Sequence, residues 1–158
     1  MKNKNTGFTL IEILVVMGII AILATIVIVA INPAKQFAQA RNAQRVSNVE
    51  AILNAIGQRI ADNKGVFAGT FGTYTCLALA TPTARAHIDT GVGGTGVDLS
   101  CLVPTYIPAM PTDPDTVWAV LPYTGYDVSV NAAGRITVYA AKGVEPAIPG
   151  SIEISITR

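Results

Sequence analysis

The fold of this chain is decided by the stretch GFTLIEILVVMGIIAILATIVIVAI, which occupies residues 7–31. Residues 13–31 carry no charged side chain, so this run is long enough to cross a hydrocarbon core of ~30 Å as a helix. One carboxylate, Glu12, lies at its front edge, and a short leader containing Lys2 and Lys4 precedes it. The stretch therefore predicts an apolar helix that anchors the rest of the chain in a membrane.

The composition fits one domain of ordinary size joined to such a helix. The chain has 158 residues, of which 51% are hydrophobic, and its formal net charge is +1. Much of the apolar content lies in the first 31 residues, so the remainder has the composition of an ordinary soluble head. No basic patch indicates nucleic-acid binding.

Three interpretations of the N-terminus compete. A secretory signal peptide needs a short apolar region followed by a small-x-small cleavage site, and here the apolar run is long and has no clear site of that kind. A signal anchor fits better, with Lys2 and Lys4 on the cytoplasmic side. Neither interpretation explains why a carboxylate lies inside the apolar segment.

The third interpretation explains it. The hexapeptide Gly7-Phe8-Thr9-Leu10-Ile11-Glu12, followed by a spanning run, resembles the prepilin processing motif of type IV pilins and type II secretion pseudopilins. The resemblance covers about 25 residues. It implies that a membrane peptidase cuts between Gly7 and Phe8 and methylates the new terminal amine of Phe8. Glu12 then becomes the fifth residue of the processed chain, where that family has its glutamate.

The physics of Glu12 agrees with an assembly role. A carboxylate in a spanning helix costs ~2.5–3.5 kcal/mol on insertion scales, and such residues are usually paired and functional. In a filament the free amine of Phe8 in one subunit can neutralise Glu12 of a neighbour. Two simpler readings of Glu12 stay open, namely a side chain that snorkels to water and an acid that favours the N-terminal end of its helix.

Residues 32–63 are expected to form a second helix that extends from the first. Asn32-Pro33 predicts a kink or a short break, because proline disfavours helical geometry at the residue before it and is tolerated at the first helical position. One apolar stripe should pack on a sheet, with Gly57 allowing a close approach. The stripe consists of Val46, Val49, Leu53, Ile56 and Ile60, and it is widened by Ile52 and Phe37. Arg41 and Arg45 are interpreted as solvated charges, and contacts with lipid headgroups or with an acid of a neighbouring subunit are the alternatives.

Residues 64–116 are predicted to form a loop region. Residues 90–96, TGVGGTG, are flexible by composition, and they lack the lysine of a phosphate-binding loop. Cys76 and Cys101 bracket them. If the anchor places the head outside the cytoplasm, a disulfide is expected, and the alternative is two reduced buried thiols.

Metal binding has little support in the sequence, and we expect no cofactor. The single histidine, His87, has no cysteine or acid at a metal-ligand spacing. Asp113 and Asp115 are the only closely spaced acids, and hard oxygen ligands of this kind can bind calcium. Some pseudopilins bind calcium in this part of the head, but two carboxylates in a proline turn more often form the turn itself.

The last third of the chain alternates between apolar and polar residues. The pattern predicts a hairpin of residues 126–130 and 135–140, a third strand at 151–157 and a possible edge strand at 117–121. Together with the stalk helix these give an α+β fold, in which a long helix packs on a small antiparallel sheet. The expected segments are a leader (1–7), a membrane or filament-core helix (8–31), a stalk helix (32–63), a variable loop region (64–116) and the antiparallel sheet (117–158).

The preferred function is that of a structural subunit of a type IV pilus-like filament, and not an enzyme. The head offers no convincing set of nucleophile, base and acid. By resemblance, the partners are other copies of the chain in a helical polymer, a prepilin peptidase, and a membrane platform with its motor ATPase. The subunit would wait in the cytoplasmic membrane with its head outside and then enter a surface filament. The alternatives are a pseudopilin of a type II secretion system and a monomeric membrane-anchored binding module.

Overall fold

The computed structural model describes residues 7–79, 84–91, 93–115, 117, 119 and 122–158. The chain divides into two compact units, Met1–Phe37 and Ala38–Arg158. The leader lysines Lys2 and Lys4 lie outside the described residues, as do Trp118, Val120 and Leu121 of the possible edge strand. Of that predicted strand, Val117 lies in a turn and Ala119 has no regular structure.

The first unit is built on helix α1, Leu10–Ile31, and no residue of this helix is buried. The helix ends at Asn32, whose φ of 45° places it in the left-handed region. The carbonyl of Asn32 accepts hydrogen bonds from the amides of Lys35 and Gln36, at 3.1 and 3.3 Å, and these begin the next helix. The interruption predicted at Asn32-Pro33 is therefore present.

Helix α2, Pro33–Asp62, continues into the second unit and covers its sheet with one face. Val49, Ile52, Leu53 and Ile56 of this face are buried, as the apolar spacing predicts. The prediction is wrong for two residues of the stripe, since Phe37 is 67% exposed and Val46 is 38% exposed. Three polar side chains of α2 are buried instead: Arg45, Asn48 and Arg59.

In the described residues the main sheet has five strands, which are β3 (Ala86–Asp89), β4 (Val97–Asp98), β5 (Tyr123–Val130), β6 (Ile136–Ala140) and β7 (Ile154–Thr157). Their order across the sheet is β4-β3-β5-β6-β7. The predicted hairpin is β5-β6, in which Val130 pairs with Ile136 and Val128 with Val138. The predicted α+β class is confirmed, but the sheet is mixed because β3 and β4 run parallel.

A second, two-stranded sheet precedes the main one, within the region expected to be loop. Its strands are β1 (Gly69–Phe71) and β2 (Tyr74–Cys76). Arg59 of α2 holds it, because its guanidinium donates to the carbonyls of Phe67 and Gly69 at 3.0 and 2.8 Å. The same guanidinium lies 5.3 Å from the centre of the Phe71 ring.

The hydrophobic core lies between α2 and the inner face of the five-stranded sheet. Strands β3, β5 and β6 supply Ile88, Tyr126, Val128 and Val138, which are fully buried. The short 3₁₀ helix Ser100–Leu102 closes one end with Leu102. Gly57 does not take part in this packing: it is exposed, and a β-carbon added to it would meet nothing within 4 Å. The expected close approach at Gly57 is therefore wrong.

Candidate functional site

The front end of α1 begins with a capping box formed by Thr9 and Glu12. The hydroxyl of Thr9 accepts a hydrogen bond from the Glu12 amide at 3.3 Å. In return, Glu12 Oε2 accepts from the Thr9 amide at 2.8 Å and from the Thr9 hydroxyl at 2.7 Å. This reciprocal arrangement satisfies two backbone donors that a helix N-terminus otherwise leaves unpaired. In the sequence, the spacing Thr-x-x-Glu is the pattern that indicates such a capping box.

The capping box fixes where the helix starts relative to the expected cleavage site. Gly7 and Phe8 precede the N-cap and have no regular structure. Phe8 is 86% exposed, and a β-carbon on Gly7 would have no neighbour within 4 Å. The Gly7–Phe8 peptide bond is thus open to solvent, and only Phe8 and the N-cap Thr9 separate it from a helix whose first turn carries Glu12.

Behind this front end, α1 is apolar on every side. Its 22 residues make it long and apolar enough to span a bilayer. Its large apolar residues are all at least half exposed. Soluble monomers rarely expose an apolar surface of this extent, so the helix requires a membrane or a protein partner around it.

The comparison with known families bears on this segment. The family model for the prokaryotic N-terminal methylation motif matches residues 2–28. This chain carries that motif. No curated protein and no solved structure matches the chain. The N-terminal methylation motif is the hallmark of the prepilin-type signal of type IV pilins and pseudopilins. It supports a subunit of that general kind, with peptidase processing, membrane anchoring and assembly into a pilus-like polymer.

In the head, Cys76 and Cys101 form a disulfide bond with 5.4 Å between their Cα atoms. It ties β2 to the short helix Ser100–Leu102, across 25 positions of sequence. The expected disulfide is confirmed. A bridge over a loop of this length contributes ~3 kcal/mol in the chain-entropy description.

The acids proposed for calcium lie elsewhere in the head, and Asp113 has a cationic partner. Its side chain is fully buried and accepts two hydrogen bonds from Arg45, at 2.8 and 2.9 Å. One of the same oxygens also accepts from the Asp115 amide at 2.8 Å. A cation at this position would have to displace Arg45. Within the described residues, no group of three His, Cys, Asp or Glu residues could hold a metal ion.

Arg45 also contacts Glu145, which the sequence did not single out. Its Nη1 lies 2.5 Å from Glu145 Oε1, and Arg41 donates to both oxygens of the same carboxylate at 2.8 and 2.6 Å. The two hydrogen bonds from Arg41, followed by the one from Arg45, lower the pKa of Glu145 to about 2. The interpretation of Arg41 and Arg45 as solvated charges is therefore wrong, because both are ion-paired and Arg45 is buried.

His87 has an acidic partner that its sequence neighbours do not reveal. Its Nδ1 lies 2.7 Å from Asp127 Oδ1, on the adjacent strand β5. Asp127 also accepts from Tyr123 at 3.1 Å and pairs with Arg85 at 2.6 Å. His87 and Asp127 are register partners of β3 and β5, so only the pairing of these strands brings them together.

Proposed function

We propose that this protein is a structural subunit, a pilin, of a type IV pilus-like surface filament. In this proposal the peptidase cuts after Gly7, Phe8 becomes the N-methylated terminus, and the subunit assembles through residues 8–31. The observation that carries the proposal is the methylation motif placed on a fully exposed apolar helix with one carboxylate in its first turn.

Glu12 has a specific role in this proposal. When α1 leaves the lipid and packs among other copies, Glu12 enters an apolar surrounding in which an unpaired charge is costly. Only one oxygen of Glu12 accepts its own Thr9 donors. Its second oxygen is the natural acceptor for the terminal amine of Phe8 from a neighbouring subunit.

The partners follow from the same scheme. They are other copies of the chain, a prepilin peptidase, and a membrane platform with its motor ATPase. The subunit waits in the cytoplasmic membrane with the disulfide-bonded head outside and then joins the surface filament.

A pseudopilin of a type II secretion system shares the N-terminal motif. The disulfide and the long Gly/Thr-rich connection favour the pilin over it. Nothing in this scheme requires catalysis by the head.

Mass spectrometry of the native N-terminus tests the processing step. We expect a chain that begins at Phe8 with one added methyl group. A chain that still begins at Met1 in its own membranes would refute the proposal and favour a simple membrane anchor.

A matched pair of variants tests the assembly step. Glu12→Gln removes the charge but retains a side chain that can complete the capping box, so the helix should still form and insert in the membrane. We expect filaments to be lost or to form slowly. The control is Glu50→Gln, which removes the same charge from an exposed site on α2 and should leave filaments normal. Normal filaments from Glu12→Gln, quantified by electron microscopy of sheared surface material, would refute the role of Glu12.

A further inference from the structure

Among the described residues of the head, one buried acid, Asp89, is in no ion pair. Asp113, Asp127 and Glu145 are each buried and each paired with an arginine. Asp89, at the end of β3, is 3% exposed, and no ion pair of the described residues includes it. One oxygen of Asp89 accepts a hydrogen bond from the Gly96 amide at 2.7 Å. A buried carboxylate whose charge is not compensated is costly, so a cation at this site would be stabilising.

The glycine-rich connection between β3 and β4 is closely fitted around this carboxylate. A β-carbon on Gly94 would lie 1.9 Å from Asp89 Oδ2, and one on Gly96 would lie 2.2 Å from the His87 carbonyl. Any larger residue at these two positions would force the connection away from Asp89. The glycines therefore do more than supply flexibility, because they allow the backbone to approach an acid.

Asp89 lines a cavity of about 260 Å³ with the ring of Tyr123 on its wall. The remaining lining residues are His87, Gly93, Gly94, Thr95 and Pro122. The rings of Tyr123 and His87 are in contact, with 4.4 Å between their centres, and both bond to Asp127. This wall is thus held in place, and an aromatic face beside a carboxylate is a favourable surrounding for an organic cation.

Of the residues that line the cavity only His87 is basic, and its Nδ1 is paired with Asp127 Oδ1 at 2.7 Å. The charges on and beside the neighbouring strands favour the same class of ligand. Asp98 is the register partner of Asp89 on the parallel strand β4, and its own bonds are to the backbone amides of Gly91 and Ser100. Arg85 is engaged by Asp127 and Glu153, at 2.6 and 2.5 Å. A metal ion is a poorer match, since the described residues provide no group of three His, Cys, Asp or Glu ligands.

We propose that the cavity beside Asp89 binds a primary ammonium group, carried either by a lysine side chain or by a small free amine. The ammonium nitrogen pairs with the Asp89 carboxylate, and the methylene groups next to it lie against Tyr123 and Pro122. This inference does not depend on the proposed role in filaments, since the site lies wholly within the head.

The test is a titration of the full chain in detergent micelles, followed by the amide resonances of Gly94 and Gly96. The probes are n-butylammonium and an N- and C-blocked lysine, with n-butanol as the uncharged control. We expect saturable shifts with both ammonium probes and none with butanol. Higher affinity for the lysine probe assigns the site to a protein partner, whereas equal or higher affinity for butylammonium assigns it to a free amine.

Variants separate a cation site from a carboxylate that only organises its loop. Asp89→Asn retains an acceptor for the Gly96 amide but removes the charge. We expect its affinity for the ammonium probes to be lower by a factor of about ten or more. Glu50→Gln, which makes the same change in net charge on α2, should bind as the natural chain does. Unchanged binding by Asp89→Asn, or no saturable shift with either ammonium probe, would overturn the proposal.

If Asp89→Asn does not fold, the side-chain carboxyl ¹³C resonance of Asp89 in the natural chain decides: a shift on addition of amine supports the site, and no shift overturns it.

Discussion

Replacement of Arg45 by methionine is expected to cost the head much of its stability. Arg45 is 1% exposed, and it donates two hydrogen bonds to Asp113 and one to Glu145. Methionine fills a similar volume but leaves the fully buried Asp113 carboxylate without a cation. Glu145 retains Arg41, so the loss falls mainly on Asp113.

The size of the expected loss of stability follows from leaving Asp113 buried without a cation while Glu145 keeps one. Removing one partner of a buried ion pair typically costs 3–5 kcal/mol, because the remaining charge is buried and unpaired. A domain of this size has a free energy of unfolding of roughly 5–15 kcal/mol, so the loss is a large fraction of the total. Replacing both partners, in Arg45→Met with Asp113→Leu, should recover most of it, since apolar residues of similar volume often stabilise as well as a buried pair.

Urea unfolding of the full chain in detergent measures these differences. All five tyrosines lie in the second unit, at positions 74, 106, 123, 126 and 139, so near-ultraviolet circular dichroism reports on the head and not on α1. Glu153→Gln is the control, because it removes one partner of an ion pair whose side chains are 35% and 36% exposed. We expect this control to cost no more than about 1 kcal/mol.

Two outcomes would refute the reasoning. If Arg45→Met costs as little as Glu153→Gln, the buried cluster contributes no more than a surface pair. If the double variant is no more stable than Arg45→Met alone, an unpaired Asp113 is not the source of the loss. In that case the methylenes of Arg45, or its bond to Glu145, would carry the effect.

Two further predictions concern the same unit. The pKa of Glu145 is lowered to about 2 by its hydrogen bonds from Arg41, so between pH 2 and 4.5 the unfolded chain binds more protons than the folded one. The contribution of Glu145 to stability should be fully present above about pH 5 and lost as the pH falls towards 2; urea midpoints that fall just as steeply in Glu145→Gln would contradict this assignment. Gly57→Ala should raise the free energy of unfolding by about 1 kcal/mol, because Gly57 lies inside α2 with open space around it. A loss of stability in the same urea experiment would mean that the helix packs closely at this position after all.

The sequence by itself determined the elements whose evidence is local. A charge-free run determines α1, and the Asn32-Pro33 pair determines its end. Alternation predicts the β5-β6 hairpin, and in its connecting turn the Gly134 amide donates to the Asn131 carbonyl at 2.9 Å. The methylation motif is likewise a matter of residue order along a few positions.

Only the tertiary structure decided which polar side chains far apart in the sequence meet. Arg45 and its partner Asp113 are 68 positions apart, and Glu145 is 100 positions from Arg45. Apolar periodicity could not find them, because it identifies a buried face by its hydrophobic members and assigns charged residues to solvent. A charge can be buried only where the chain topology brings an opposite charge to it, and local sequence carries no record of that topology. The pairing of His87 with Asp127, the parallel strands β3 and β4, and the exposed position of Gly57 were decided in the same way.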